Sequence, residues 1–421
     1  MRPLPPRLAV AGALALTAVL SLSACGSGFS SPSPSANGAG GAQLTSSKAP
    51  LSILIGSSGD AETNAVTAAA KAWSTKSGIG ATVQVANNLD QQLAQGFAAG
   101  KPADLFYVST SSLTGYASNG SLLAYGDQLP NKNDFYPTLR DSFTFGGKFY
   151  CAPKDFSTLA LFINTADWQA AGLTDADVPT TWDQLATVAK KLTVAGHVGL
   201  TMSPQYERLG AFMAQAGGSL TDAGQTKATA DSTQNVDALN YLKQLLAAGS
   251  LKFSGDLGES WGGDAFGKGK AAMVVEGNWL TGSMSSSYPS VNYKIVQLPK
   301  GPAGAATLQF TNCWGIAAAS KNQTAALDLV EYLTTAAQQL AFAKAFGVMP
   351  SVQSAAAPWK QEFPQDAAFL QEAPGAKGMP NKPGTSDAIS NFDSQVGGLA
   401  GADPKTLLVG LQQNLAAALK G

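Results

Sequence analysis

From Leu51 onward the apolar positions of the chain switch back and forth between two periods. "LSILIG" (51–56) is a short β-rich run. The next segment carries Ala65, Val66, Ala69 and Trp73 at helical spacing, with Asp60 placed to cap it and Gly78 to end it. "ATVQVANN" (81–88) alternates as a strand does, "LDQQLAQGFAAGK" (89–101) reads as a helix, and "ADLFYVS" (103–109) as an apolar strand. Strands interleaved with helices predict a parallel sheet, in which a ligand sits beyond the carboxyl ends of the strands. Those ends are Ser57-Ser58, Asn87-Asn88 and Ser109-Thr110. Their small polar side chains suit a neutral hydroxylated ligand, and equally suit loops and caps.

The same reading extends to the C-terminus. "STLALFIN" (157–164) is an apolar run ending in Asn164. Thr181 caps a helix with Trp182, Leu185, Val188, Ala189 and Leu192 on one face, and a second helix carries Val236, Leu239, Leu242 and Leu246 before Gly249 stops it. "AAMVVEGNW" (271–279) is a strand ending in a turn. "QTAALDLVEYLTTAAQQLAFAKAFG" (323–347) reads as one long helix, broken by "VMPSV".

The N-terminus has a different pattern. Arg2 and Arg7 precede an apolar run from Leu8 to Leu22, too short to span a bilayer comfortably, since that takes roughly 20 apolar residues. The pattern is that expected of a signal peptide over residues 1–24. Leu22-Ser23-Ala24-Cys25 resembles the lipobox of bacterial lipoproteins, where the Cys carries the lipid, so Cys25 is the expected lipidation site. Residues 25–50 are dominated by Ser, Gly, Pro and Ala and read as a flexible tether. The expected location is the extracytoplasmic face of the cell membrane, anchored without spanning it.

Composition narrows the function. The chain has 421 residues and a formal net charge of −1, which gives no electrostatic footprint for nucleic acid. With Cys25 assigned to lipid, Cys151 and Cys313 remain, and an even pair in an oxidising compartment favours a disulfide over two buried thiols. Two Cys and His197 cannot supply an ordinary zinc set, so neither metal nor cofactor is expected. His197 reads as a surface or packed residue, and with no second His, Ser-His-Asp or Cys-His catalysis would have to use it. Gly262, four residues on, Gly267-Lys268 matches the start of a phosphate-binding P-loop. Gly269 stands where that motif needs Ser or Thr, and a strand follows rather than precedes it.

Six marks in register resemble the extracellular solute-binding proteins of ABC importers, specifically the carbohydrate-binding family that includes the maltose binder. They are the Gly147-x-x-Tyr150-x-x-Pro153 crossing to "LFIN", the Pro179-x-Thr-Trp182-Asp183-x-Leu185 helix entry, and the Phe266-x-x-Gly-Lys-Ala-Ala-Met273 to Gly277-x-Trp279 segment. The others are the Ala325-Ala-x-Asp-Leu-Val-x-Tyr-Leu-Thr334 helix, "GVMPS" (347–351) and "GMPNKP" (378–383). The resemblance covers nearly all of 51–421 and implies an α/β, two-lobe periplasmic-binding-protein fold of type II. Each lobe is a sheet flanked by helices, with a hinge crossed several times, near Asp141–Gly146, Ala305–Gln309 and Gly347–Pro350. The lobes are then 51–142 with 308–348, and 143–307 with 349–421. The resemblance makes "GKGKAAM" a turn into a strand, and places Cys151 and Cys313 where a bond locks two crossings.

It also implies no enzyme: a mono- or oligosaccharide trapped by hinge closure and delivered to the permease's transmembrane subunits, by a monomer held on the membrane by its lipid. Aromatic rings would cover the C–H face of a sugar, and amides, carboxylates and Lys would satisfy its hydroxyls. The matching positions are Trp279, Trp314 and Trp261 as platforms, Lys154 and Asp155 after the crossing, and Asp264, Asn278 and Asn312 beside the Trp residues. Asp60, Asn87 and Ser109 come from the strand ends. Trp73, Trp168 and Trp182 read as core residues. No stacking aromatic follows "MPNKP" closely, which leaves the sugar open. The rival readings are a non-sugar solute on the same scaffold, or a secreted glycoside hydrolase using Asp155 with Asp264 or Glu276.

Overall fold

A computed structural model describes residues 43–57 and 59–420. The expected signal peptide, the Cys25 lipidation site and most of the tether lie outside the described residues. Among the described residues no helix is long and apolar enough to cross a membrane.

In chain order the strands are β1 (Leu51–Ile55), β2 (Ala81–Val85), β3 (Leu105–Ser109), β4 (Thr144–Phe145), β5 (Lys148–Phe149), β6 (Ala152–Pro153) and β7 (Ser157–Asn164). There follow β8 (Leu200–Met202), β9 (Leu251–Phe253), β10 (Met273–Gly277), β11 (Tyr293–Val296), β12 (Thr307–Phe310), β13 (Asn312–Ile316) and β14 (Ala376–Lys377). They form a five-stranded sheet, β2-β1-β3-β13-β6, a seven-stranded sheet, β14-β12-β7-β10-β8-β9 with β11 also on β7, and the small β4-β5 pair. β1, β2 and β3 pair in parallel as their spacing predicts, while β13 returns antiparallel to β3.

Helices cover both sheets, and the apolar faces read from the sequence are the ones buried. Val66, Ala69 and Trp73 of helix Asp60–Ser77 lie in the core of the first sheet. β7 shows why its apolar run is continuous: Leu159, Leu161 and Ile163 enter one core, and Ala160 and Phe162 enter another on the opposite face. Trp73, Trp168 and Trp182 are buried, with indole N–H groups donating to Asp328, the Thr174 carbonyl and Gln215.

Three local readings change. Gly59, not Asp60, is the cap residue; Asp60 is the first residue of the helix. The long C-terminal helix is two, Gln323–Leu333 and Ala336–Phe346, because Thr335 accepts from Gln338 N and starts the second. The last part of the expected tether is held, since Thr45 Oγ1 donates to Ser320 O at 2.8 Å and Asn322 donates to Ala49 O at 3.0 Å.

The chain passes between the sheets at 154–156, from β6 to β7, and at Thr311, from β12 to β13. Residues 143–153, read as part of the second lobe, put β6 in the five-stranded sheet, and the second crossing likewise falls later than its expected place. A third segment, Gly347–Met349, runs alongside. The three segments bond to one another: Lys154 N to Asn312 O at 2.8 Å, Thr311 Oγ1 to Asp155 O at 2.6 Å, and Phe156 to Met349 in both directions at 3.1 Å. Cys151 and Cys313 form the disulfide anticipated from their number, just before the first crossing and just after the second.

Candidate functional site

Above this three-segment hinge lies a cavity of about 270 Å³, lined by Ser57, Glu62, Lys154, Asn278, Trp279 and Asn312 among others. It shares Glu62, Asn278 and Trp279 with a larger cavity of about 820 Å³ that runs past Asp60 and along Thr281–Ser286. Together they are of small-ligand size. Of the eleven residues proposed from the sequence, Asp60, Lys154, Asn278, Trp279 and Asn312 line this space, and Asp155 adjoins it through Lys154.

The floor is ionic. Lys154 Nζ donates to Glu62 Oε1 at 2.9 Å and to Asp155 Oδ2. Tyr107 Oη donates to Glu62 at 2.9 Å, and the Lys154 ammonium lies 4.7 Å from the centre of the Tyr107 ring. Burial pulls the Lys154 ammonium down, but the two carboxylates outweigh it and hold it above the usual lysine value. Burial likewise raises Asp155, against the lowering effect of Lys154.

One wall is built at the end of β10. Glu276, 0% exposed, accepts from Arg208 Nη2 at 2.7 Å and from Trp279 Nε1 at 3.0 Å. Burial keeps Glu276 above the usual glutamate value in spite of Arg208. Trp279 is 36% exposed, its ring 5.4 Å from the Arg208 guanidinium and edge-on to Phe310. It folds back over Gly277, where a Cβ would come within 2.2 Å of the indole, so only glycine leaves room. Asn278 donates to Gly347 O at 2.8 Å, and its Oδ1 is buried with no hydrogen-bond partner among the described residues.

Five expected residues lie elsewhere. Trp314 is 1% exposed; β13 runs between β3 and β6, and its indole packs edge-on against Tyr107 inside the first core. Asp264 accepts from Tyr288 Oη at 2.8 Å, and Trp261 is partly buried beside the Phe266 cluster. Asn87 is exposed on the loop beside Asn88, which caps the next helix. Ser109 caps helix Thr110–Ser118; its neighbours Thr110 and Ser111 face Glu207 and Asp393 across a separate cavity of about 300 Å³. The Gly-Lys stretch is a helix, Gly262–Gly267, and a turn through Gly269 at φ 68, with Lys268 and Lys270 both on Glu259. The residues that sequence reading missed are Glu62 and Arg208.

A further cavity of about 530 Å³, lined by Leu298, Lys300 and Glu372 among others, carries a pH signal. Glu372 accepts from Leu298 N at 2.9 Å, and burial raises its pKa to about 7. The folded state therefore holds this proton at pH values where the unfolded chain, with a pKa near 4.3, has released it, so stability is lost as pH rises through that window. Glu372→Gln keeps the acceptor for Leu298. It is expected to raise the melting temperature at pH 8 and to leave it nearly unchanged at pH 4.5, as followed by circular dichroism.

Two α/β lobes sharing a multiply crossed hinge, with an aromatic and hydrogen-bonding cavity over it, define a hinged solute-binding protein. The sequence model of the bacterial extracellular solute-binding proteins matches residues 68–371, and the chain belongs to this family. The diacetylchitobiose-binding protein DasA of Streptomyces coelicolor is 24% identical over 290 residues, 66% of this chain and 68% of DasA. The cyclic α-maltosyl-1,6-maltose-binding protein of Arthrobacter globiformis superposes with a TM-score of 0.78 at 20% identity, over 88% of this chain and 99% of that one. UgpB of Mycobacterium tuberculosis, solved with glycerophosphocholine, does so with 0.76 at 18%, over 88% and 98%.

Proposed function

We propose that the protein is the substrate-binding lipoprotein of an ABC importer. It captures a mono- or oligosaccharide between its lobes by hinge closure and delivers it to the membrane permease. The observation that carries this is the cavity over the hinge, where Trp279 offers an exposed aromatic surface beside Asn278, Asn312 and Lys154. The saccharide-binding relatives support it. Family membership puts the working compartment outside the cytoplasm, and Cys25 would keep the protein beside its permease, so local concentration drives delivery.

A melting-shift screen over mono- and oligosaccharides tests the reading, because a ligand at 100 times its Kd adds about 2.7 kcal/mol. If no saccharide moves the transition, the sugar assignment fails. For the saccharide that does, Trp279→Ala is expected to raise Kd by roughly thirtyfold, about 2 kcal/mol, with a small change in stability. Isothermal titration and a denaturant curve on the same variant separate the two.

The UgpB likeness raises a phosphodiester solute as a second reading. Arg208, the arginine beside Trp279, is already engaged by Glu276, which argues against it. A hydrolase reading is disfavoured for a similar reason. Asp155 is tied to Lys154, Glu276 to Arg208 and Asp264 to Tyr288, so none is poised as a glycosidase acid opposite a second carboxylate.

A further inference from the structure

The Lys154 ammonium is held the way a bound cation is held. Two carboxylates, Glu62 and Asp155, take two of its three N–H donors, and the Tyr107 and Phe346 rings lie 4.7 and 5.5 Å from it. Carboxylates and aromatic faces are the groups that capture ammonium ions from solution. Here the chain supplies the cation itself, in the floor of the cavity that also touches Asn278 and Trp279. The side chain is 8% exposed, so its charge is spent inside the site, while among the described residues one N–H is left for a solute hydroxyl.

We propose, on the basis of the saccharide reading, that Lys154 sets the charge class of the solute: its ammonium fills a cation site in the cleft floor, so the cleft takes neutral polyhydroxylated solutes and turns away primary amines. An amine entering the wild-type cleft finds both carboxylates already neutralised. Truncating Lys154 empties the site and takes its ammonium away from Glu62 and Asp155, and a small alkylammonium then takes its place.

Full-length Lys154→Ala protein is titrated with ethylammonium chloride while its melting transition is followed, with sodium chloride at matched ionic strength as the control. The variant should show a saturable rise of about 2 °C or more above that control. Wild type should show none, and Lys154→Ala/Glu62→Gln/Asp155→Asn, which has neither carboxylate, should lose the response. A variant that behaves as wild type does, or that responds equally to sodium, overturns the proposal. Should Lys154→Ala not fold, Lys154→Ala/Asp155→Asn leaves a single buried carboxylate and takes the same titration with the same two outcomes. The saccharide screen on wild type is a separate arm. A blank screen ends the sugar reading, while the ethylammonium titration still decides whether Lys154 occupies a cation site.

Discussion

Removing the Cys151–Cys313 bridge is expected to lower the unfolding free energy by about 4–5 kcal/mol, the largest loss foreseen for any two-residue change in this chain. The bond closes a loop with a sequence separation of 162, and in the chain-entropy account a loop beyond 100 residues contributes about 4.7 kcal/mol or slightly more. Both sulfurs are fully buried, so Cys151→Ala/Cys313→Ala is the better test than Ser, which would bury two hydroxyls. A denaturant titration should show a clear fall in midpoint. The bridge also has a place in the hinge. It ties the strand entering the first crossing to the strand leaving the second, where β6 and β13 already pair through Cys313–Pro153 and Trp314–Ala152. That ladder survives the substitution, so solute affinity at low temperature should change by no more than a few fold. A midpoint within error of wild type would show that the bond adds nothing the ladder does not supply.

The pairing of the two cysteines was legible from their number because counting needs no geometry. Much of the sheet order was legible too, since β1, β2 and β3 alternate with helices in a regular way. What composition and spacing could not separate was Trp279 from Trp314. Trp279 follows the end of β10 directly after Asn278, Trp314 stands two residues after Asn312, and both read as platforms. The difference is made by β3 and β6, which flank β13 and bury Trp314, and which come from residues 105–109 and 152–153. The residues missed share one cause. Glu62 lies in the first turn of helix Asp60–Ser77 and Arg208 in helix Tyr206–Gln215, where a single charge is ordinary. Their partners are 92 and 68 residues away, so nothing local marks them. The lobe boundaries moved for a similar reason, because β6 is two residues long and its membership of the first sheet shows only in its pairing with β13.

Arg208→Met should cost about 3–5 kcal/mol, because it leaves the Glu276 carboxylate buried without its cation. The contact has two prongs, Nη2 to Oε2 at 2.7 Å and Nε to Oε1 at 3.3 Å, and Glu276 has no exposure to solvent. Burial already holds Glu276 above the usual glutamate value, and losing Arg208 raises it further. A carboxyl whose folded pKa is raised keeps its proton in the folded state over a range where the unfolded chain has lost it, so stability falls as pH rises through that range. The deficit of the variant should therefore be smaller at pH 5 than at pH 8. Arg208→Met/Glu276→Gln removes both charges and retains an acceptor for Trp279 Nε1, so it should recover most of the loss. The same pair separates structure from recognition. In the single variant a protonated or displaced Glu276 no longer fixes the indole, and solute affinity should fall with stability; in the double variant both should return together. Stability restored without affinity would mean that Arg208 acts on the solute directly rather than by holding Glu276 and Trp279 in place.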